Sequence, residues 1–212
     1  MLNNWGSNMK KSILLAAVVA AFSAPALAGT DVEMHVSTLG YGLGMGFQAP
    51  DSSVVTRVGF NQFSKTYTTT SNSVNYDGKL KLSSADLLFD WHLFNGVTHL
   101  TAGLAYNNNK VDLTSVGNYT INGTTYTGTM NSTVTFNKVA PYLGFGWSGQ
   151  AKKKGLSFKT DFGVLFQGKP KSTVTATGVS AADLATAQAE LDDKLKDFRY
   201  YPVISFGIGY AF

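Results

Sequence analysis

Cysteine is absent from the 212-residue chain. Its absence excludes disulfide frameworks, thiolate-held zinc or iron–sulfur centres and thiol nucleophiles. Charge is scarce, at 14% Asp, Glu, Lys and Arg against a usual ~25%. Scarce charge is common in membrane proteins, yet past the N-terminal segment no run approaches the ~20 apolar residues that a spanning helix requires. Proline is limited to 5 residues, whereas glycine reaches 22 and the aromatics comprise 14 Phe, 10 Tyr and 3 Trp. A chain of this composition that crosses a bilayer does so with strands.

Met9-Lys10-Lys11, the apolar run from Ile13 to Phe22 and the small-x-small end Ala26-Leu27-Ala28 are the three parts of a secretory signal peptide. Residues 1–28 are therefore expected to be removed, leaving 29–212 as a single exported domain. The run is too short for a membrane anchor, and Pro25 breaks it. Losing Lys10 and Lys11 lowers the net charge from +4 to +2. So small an excess, scattered apart from Lys152-Lys153-Lys154, gives no reason to expect nucleic acid as a partner.

From residue 29 onward apolar and polar residues alternate in blocks of about ten, the reach of a tilted strand across a bilayer. Leu39, Tyr41, Leu43, Met45 and Phe47 oppose Gly40, Gly42, Gly44 and Gly46. Val54, Val58 and Phe60 oppose Arg57 and Asn61; Leu87, Phe89, Trp91 and Leu93 oppose Asp86, Asp90 and His92. Further blocks centre on Leu100–Tyr106, Val139–Trp147, Leu156–Phe166 and Ile204–Phe212. Short connections (48–53, 95–98, 148–155) alternate with long ones (66–78, 107–132, 168–198), as periplasmic turns and outer loops do. Phe47, Trp91, Trp147, Tyr210 and Phe212 gather at the short-turn ends, forming an aromatic girdle. The expected fold is all-β: a small antiparallel transmembrane β-barrel in the bacterial outer membrane.

Seven crossings are clear, and an even number is usual for single-chain barrels. Eight strands are expected, the eighth coming from an irregular N-terminal strand or from part of a long loop. Residues 30–38 look too few for a full crossing with its turn. Asn122-Gly123 reads as a hairpin turn. Ser180–Lys196 reads as a short amphipathic helix in the last long loop, N-capped by Ser180 and lying at or over the mouth.

The inward face is expected to carry Arg57, Asn61, Asp86, Asp90, His92, His99, Lys138, Tyr142, Lys159, Asp161 and Gln167. An eight-stranded bore holds side chains or one small ligand. These charges therefore make either a plug of ion pairs, such as Arg57 with Asp90, or a polar path. On the path reading Asp86, Asp90 and Asp161 attract cationic solutes while Lys138 and Lys159 tune passage, with Arg57 and Tyr142 on the same wall. The inward glycines of the first block either leave a groove or ease curvature. Glu33, His35 and Ser37 share parity with the outward Leu39 to Phe47, so a His-x-Ser pair with an acid on the outer face is the one hydrolytic arrangement to weigh. The surrounding sequence does not support it, and no enzyme is expected. His92 and His99 flank a short turn with no carboxylate at ligand spacing, so neither metal nor cofactor is expected.

The run Lys138-Val139-Ala140-Pro141-Tyr142-Leu143-Gly144-Phe145-Gly146-Trp147, then Gly168-Lys169-Pro170-Lys171 and Tyr200-Tyr201-Pro202-Val203, resembles the small Gram-negative outer-membrane proteins of the carbapenem-susceptibility-associated (CarO) type. The resemblance covers roughly residues 38–212 and carries no catalytic signature. It implies a small, eight-stranded barrel, of a group proposed to admit basic amino acids such as ornithine; a monomer that passes small polar solutes is expected. The terminal Phe206, Ile208, Tyr210 and Phe212 look like the signal read by the barrel assembly machinery, with Phe212 last. Outer-membrane lipid and lipopolysaccharide are the other expected partners. A narrow channel or uptake protein is the expected function; a non-conducting barrel that works through its loops is the alternative.

Overall fold

The period-two alternation folds into eleven antiparallel strands in the computed structural model, which describes residues 29–71, 74–149 and 154–212. The expected signal peptide, residues 1–28, lies outside the described residues. The strands are β1 (Thr30–Ser37), β2 (Gly40–Gln48), β3 (Val54–Ser71), β4 (Val74–His92), β5 (Thr98–Asn107) and β6 (Lys110–Ile121). They continue with β7 (Thr124–Thr135), β8 (Val139–Ser148), β9 (Gly155–Phe166), β10 (Lys171–Ala176) and β11 (Tyr200–Ala211). One α-helix, α1 (Ala181–Leu195), separates β10 from β11. Among the described residues no helix is long and apolar enough to cross a membrane.

Eight strands close a ring in the order β1-β2-β3-β4-β5-β8-β9-β11, with β11 returning to β1. The eighth member is β1, and this corrects the expectation that residues 30–38 are too few. Thr38-Leu39 suffices as the turn, with Ser37 opposite Gly40, and β1 pairs with β2 on one side and β11 on the other. The Ser37 hydroxyl accepts from the Leu39 amide at 3.1 Å and donates to the Gly40 carbonyl at 3.2 Å, which secures the reversal.

The remaining three strands are not loops. Tyr106 opposite Val139 is followed, past a break, by Lys110 opposite Thr135. Likewise Tyr142 opposite Leu165 gives way to Thr135 opposite Lys171. Thus β5 and β6, β8 and β7, and β9 and β10 are three staves, each interrupted once. At the first break the Asn107 side chain accepts from the Asn109 amide, and Asn109 accepts from the Ser83 amide. At the others Gly168, with φ 72°, lies so near Asn137 that a Cβ would come within 2.1 Å of its Nδ2. The segments 66–78 and 107–132, expected as long loops, are therefore mostly strand. Together with β10 they raise five staves into a tall wall, while β1, β2 and β11 form a low rim. The Asn122-Gly123 turn is present as expected, with positive φ at both residues (49° and 80°), as a tight hairpin turn demands.

The expected helix is also present. The Ser180 hydroxyl accepts from the Asp183 amide at 3.1 Å and caps it. α1 packs on β10 and β6 through the wall face that continues the lumen, where Ser172 donates its amide to Asp192 at 3.0 Å. Tyr126 on β7 donates to the Asp183 carboxylate at 2.5 Å, and Ser180 donates to the same oxygen at 2.9 Å.

Outward, the ring shows an apolar belt that includes Met34, Val36, Val58, Phe60, Leu87, Phe89, Leu143 and Phe206, all exposed. Phe47, Trp91, Trp147 and Tyr210 edge it at the short-turn end. A second aromatic edge of Tyr41, Tyr106 and Tyr200 lies at the other end. Between Tyr200 and Tyr210, a rise of ~3.3 Å per residue and a tilt of ~40° span roughly 25 Å, the height of a membrane-facing band.

Candidate functional site

Inward-pointing residues of the ring form two layers. The layer nearer the short turns is charged. Arg57 on β3 donates to Asp161 on β9 at 2.9 Å and to Asp90 on β4 at 3.1 Å, and its Nη1 lies 3.6 Å from Glu33 on β1. Lys159 on β9 sits 2.5 Å from Glu33 and 3.7 Å from Asp31. Thr101 donates to Asp90 at 2.8 Å, and His99 Nε2 is 3.0 Å from Asp161. Toward the tall wall His35 meets Asn61 at 2.8 Å, and Asn61 donates to Asp86 at 3.0 Å. The outer layer is apolar: Leu39, Leu88, Ala105, Ala140, Leu165 and Val203 form a buried cluster with Tyr142.

Almost every one of these charges is buried, Asp90 to 1% and Asp161 to 4% exposure. Ions removed from water are tolerated when paired and hydrogen-bonded, and Arg57 supplies the pairing for three carboxylates. Among them lies a cavity of about 50 Å³ bordered by Glu33, His35, Arg57, Asn61, Asp86 and Tyr142. That is room for a few waters.

The inward glycines explain how so small a bore holds so many large side chains. A Cβ on Gly42 would lie 2.0 Å from His35 Nε2, and one on Gly46 2.0 Å from Asp31 Oδ1. Gly59 leaves the space that Asp86 takes, and Gly163 that of the Tyr142 hydroxyl. The glycines of β2 therefore leave no open groove, because β1 fills it with Asp31, Glu33 and His35.

Of the residues expected inside, Arg57, Asn61, Asp86, Asp90, His92, His99, Tyr142, Lys159, Asp161 and Gln167 point inward. Lys138 does not. It lies in the break between β7 and β8, is exposed, donates to the Asn108 side chain and sits 6.0 Å from the Tyr106 ring centre. Glu33 and His35, expected on the outer face, point inward, and Met34 and Val36 take the outer face instead. A two-residue hairpin turn places residue 35 opposite 42, so parity flips across it. The outward hydrolytic arrangement of Glu33, His35 and Ser37 thus fails on geometry.

Asp90, His99 and Asp161 gather with one ligand-type atom each within 4.8 Å, a proximity the spacing along the chain does not reveal. The Arg57 guanidinium already bonds both carboxylates, so it serves as the cation of this cluster. His92 turns away, with its Nδ1 2.9 Å from the Gly96 carbonyl oxygen.

Outside the membrane band, hydrogen bonds from Tyr126 and then Ser180 hold the Asp183 carboxyl below its ordinary range. At Asp112 burial pushes upward. Bonds from Lys110 and Thr133 and the charges of Lys110 and Lys81 outweigh it and keep the carboxyl low.

No protein-family model matches the sequence, and no curated protein matches it. Among solved structures the chain is similar to CarO2 of Acinetobacter baumannii, with a TM-score of 0.59 and 21% identity over 86% of this chain and 98% of that one. It is similar also to CarO of the same organism, with a TM-score of 0.57 and 22% identity over 88% and 98%. Ail of Yersinia pestis matches more loosely, with a TM-score of 0.34 and 11% identity over 86% and 93%. The fold is that of an outer-membrane β-barrel, of the CarO kind that the run from Lys138 onward resembles.

Proposed function

We propose that this chain is a sealed outer-membrane barrel: a rigid, non-conducting support that presents its tall outer wall and α1 to the medium. The observation that carries this reading is the pairing of inward charges with one another beneath an apolar layer, around a cavity of about 50 Å³. A solute approaching from the wall side meets Leu39, Leu88 and Leu165 above the paired charges. The ring closes with its own strands, so no edge in the membrane calls for a second copy, and the barrel acts as a monomer.

A second reading, narrow uptake of basic solutes, is favoured by one observation. Among the described residues, five inward carboxylates (Asp31, Glu33, Asp86, Asp90 and Asp161) face only Arg57 and Lys159 as permanent cations. Liposome swelling with refolded protein separates the two. Ornithine, glutamate and an uncharged amino acid should all enter no faster than into empty liposomes. Faster swelling with ornithine, reduced by D86N with D90N, would replace the sealed barrel with the cation path.

A further inference from the structure

The outward face of the tall wall carries a basic row that neither reading of the lumen uses. Register fixes it. Ser64 lies opposite Lys81, Lys81 opposite Lys110, Lys110 opposite Thr135, and Thr135 opposite Lys171. Residues paired in this way share one face of a sheet. On β4 that face is the odd-numbered one, the same that carries Leu87, Phe89 and Trp91 on the lipid side. The three lysines therefore stand on the outer surface of the wall, directly above the membrane belt. Lys79 belongs to the next outward row, opposite Asp112.

The height of this row is set by Tyr106, which belongs to the outer aromatic edge. Lys110 follows it by four residues on the same stave, a climb of roughly 10 Å at ~3.3 Å per residue and ~40° tilt. That level is the headgroup zone of the outer leaflet. Long lysine stems reach down toward it while keeping the ammonium in water. Lys138, exposed beside the Tyr106 ring, lies between the two levels. Asp112, in the next outward row, is the acid that reaches into this one: its carboxylate is 2.7 Å from Lys110 Nζ and 3.5 Å from Lys81 Nζ, and Thr133 donates to it at 2.9 Å. One carboxylate cannot neutralise two ammoniums, and it holds both at a fixed separation. Strands ~4.8 Å apart put Lys110 about 5 Å from Lys81 and Lys171 about 10 Å from Lys110 at the backbone.

We propose that Lys81, Lys110 and Lys171, with Lys138 below them, form a binding site for the phosphate groups of an outer-leaflet glycolipid. The occupant is a membrane lipid and not a free anion, because the row looks outward over the apolar belt, where an acyl chain can run down the wall. The site holds whether or not solute passes the lumen. Its effect is to fix the wall's base to the lipid surface and so to set the wall's tilt.

Native mass spectrometry of the detergent-solubilised barrel, titrated with bisphosphorylated lipid A, tests this. K81Q/K110Q/K171Q should weaken lipid retention roughly tenfold or more, since each lysine near an anionic surface adds substantially to attraction. K81R/K110R/K171R should retain wild-type binding, and D112N should bind at least as well as wild type. K154Q, at the opposite end of the barrel, should change nothing. Unfolding in urea confirms that each variant folds. Undiminished retention by the triple glutamine variant overturns the proposal, as does equal binding of fully dephosphorylated lipid A. Complete displacement by millimolar inorganic phosphate also overturns it, because the site would then be one for free anions.

Discussion

Replacing Arg57 by methionine puts the sealed lumen to its most direct test. The guanidinium lies 2.9, 3.1 and 3.6 Å from Asp161, Asp90 and Glu33. At an effective dielectric constant of about 20, each such contact is worth about 5–6 kcal/mol of attraction. Most of that sum offsets the cost of taking the guanidinium and its partners out of water. What a variant reveals is the penalty for leaving partners uncompensated, about 3–5 kcal/mol for a broken buried pair. R57M leaves three carboxylates with Lys159 as their nearest permanent cation and should lose that amount. D161N keeps Arg57 bonded to Asp90 and should lose about 1.5–3 kcal/mol. The double variant R57M/D161N removes one of the stranded charges and should be more stable than R57M by about 1–3 kcal/mol, a coupling of the size seen between residues in contact. Urea unfolding from lipid vesicles, followed by the fluorescence of Trp91 and Trp147, measures all three with comparable slopes. An R57M barrel within 1 kcal/mol of wild type, or a double variant whose loss equals the sum of the singles, would refute the paired plug.

Gly42→Ala should cost about 1–3 kcal/mol by forcing His35 off Asn61, and H35A in the same chain should recover most of the loss in the same unfolding assay. Tyr126→Phe should release the start of α1; a spin label at E190C, convenient in a chain without cysteine, should then show faster motion. The same label should report acid loosening of wild type. Asp183 has a depressed folded pKa, so its contribution is complete above the unfolded value near 4 and disappears as pH falls through the lower folded value. A label whose mobility is constant from pH 7 to pH 2 would show that the Tyr126–Asp183–Ser180 contact does not hold the helix. Ser180→Ala should cost the helix about 1 kcal/mol, read as increased label mobility at neutral pH.

Alternation made the barrel legible because a half-buried strand must separate its two faces by chemistry, and Leu87, Phe89 and Trp91 against Asp86, Asp90 and His92 do so cleanly. The same signal is present in β1, where Val32, Met34 and Val36 alternate with Asp31, Glu33 and His35. It goes unread when parity is carried over from β2 through a turn that reverses it. Lys138 misleads for a related reason: it lies in an interruption of its stave, where pleating sets no face. The apolar outer layer is invisible to a rule that places large apolar residues toward lipid, since Leu88 and Leu165 follow the inward parity of their charged neighbours. The gathering of Arg57, Asp90, His99 and Asp161 joins residues from four strands, and only ring closure brings β9 near β3 across the bore.

The unequal lengths of the strand pairings also order the folding of the barrel. β3 and β4 pair over their whole length, from Val54 opposite Trp91 to Ser71 opposite Val74, through contacts local in sequence. β1 and β11 pair only from Asp31 opposite Ala211 to Ser37 opposite Ser205, and they join the two ends of the domain. Loop-closure entropy delays pairings between distant segments, so the long hairpin forms early and the β1–β11 seam closes last. Until it closes, Glu33 can meet Arg57 across β2 but cannot reach Lys159 on β9, and Arg57 cannot reach Asp161. The chain is then committed to its ring by an electrostatic step at the end of the process, and the seam is the place where a closed barrel would first come apart.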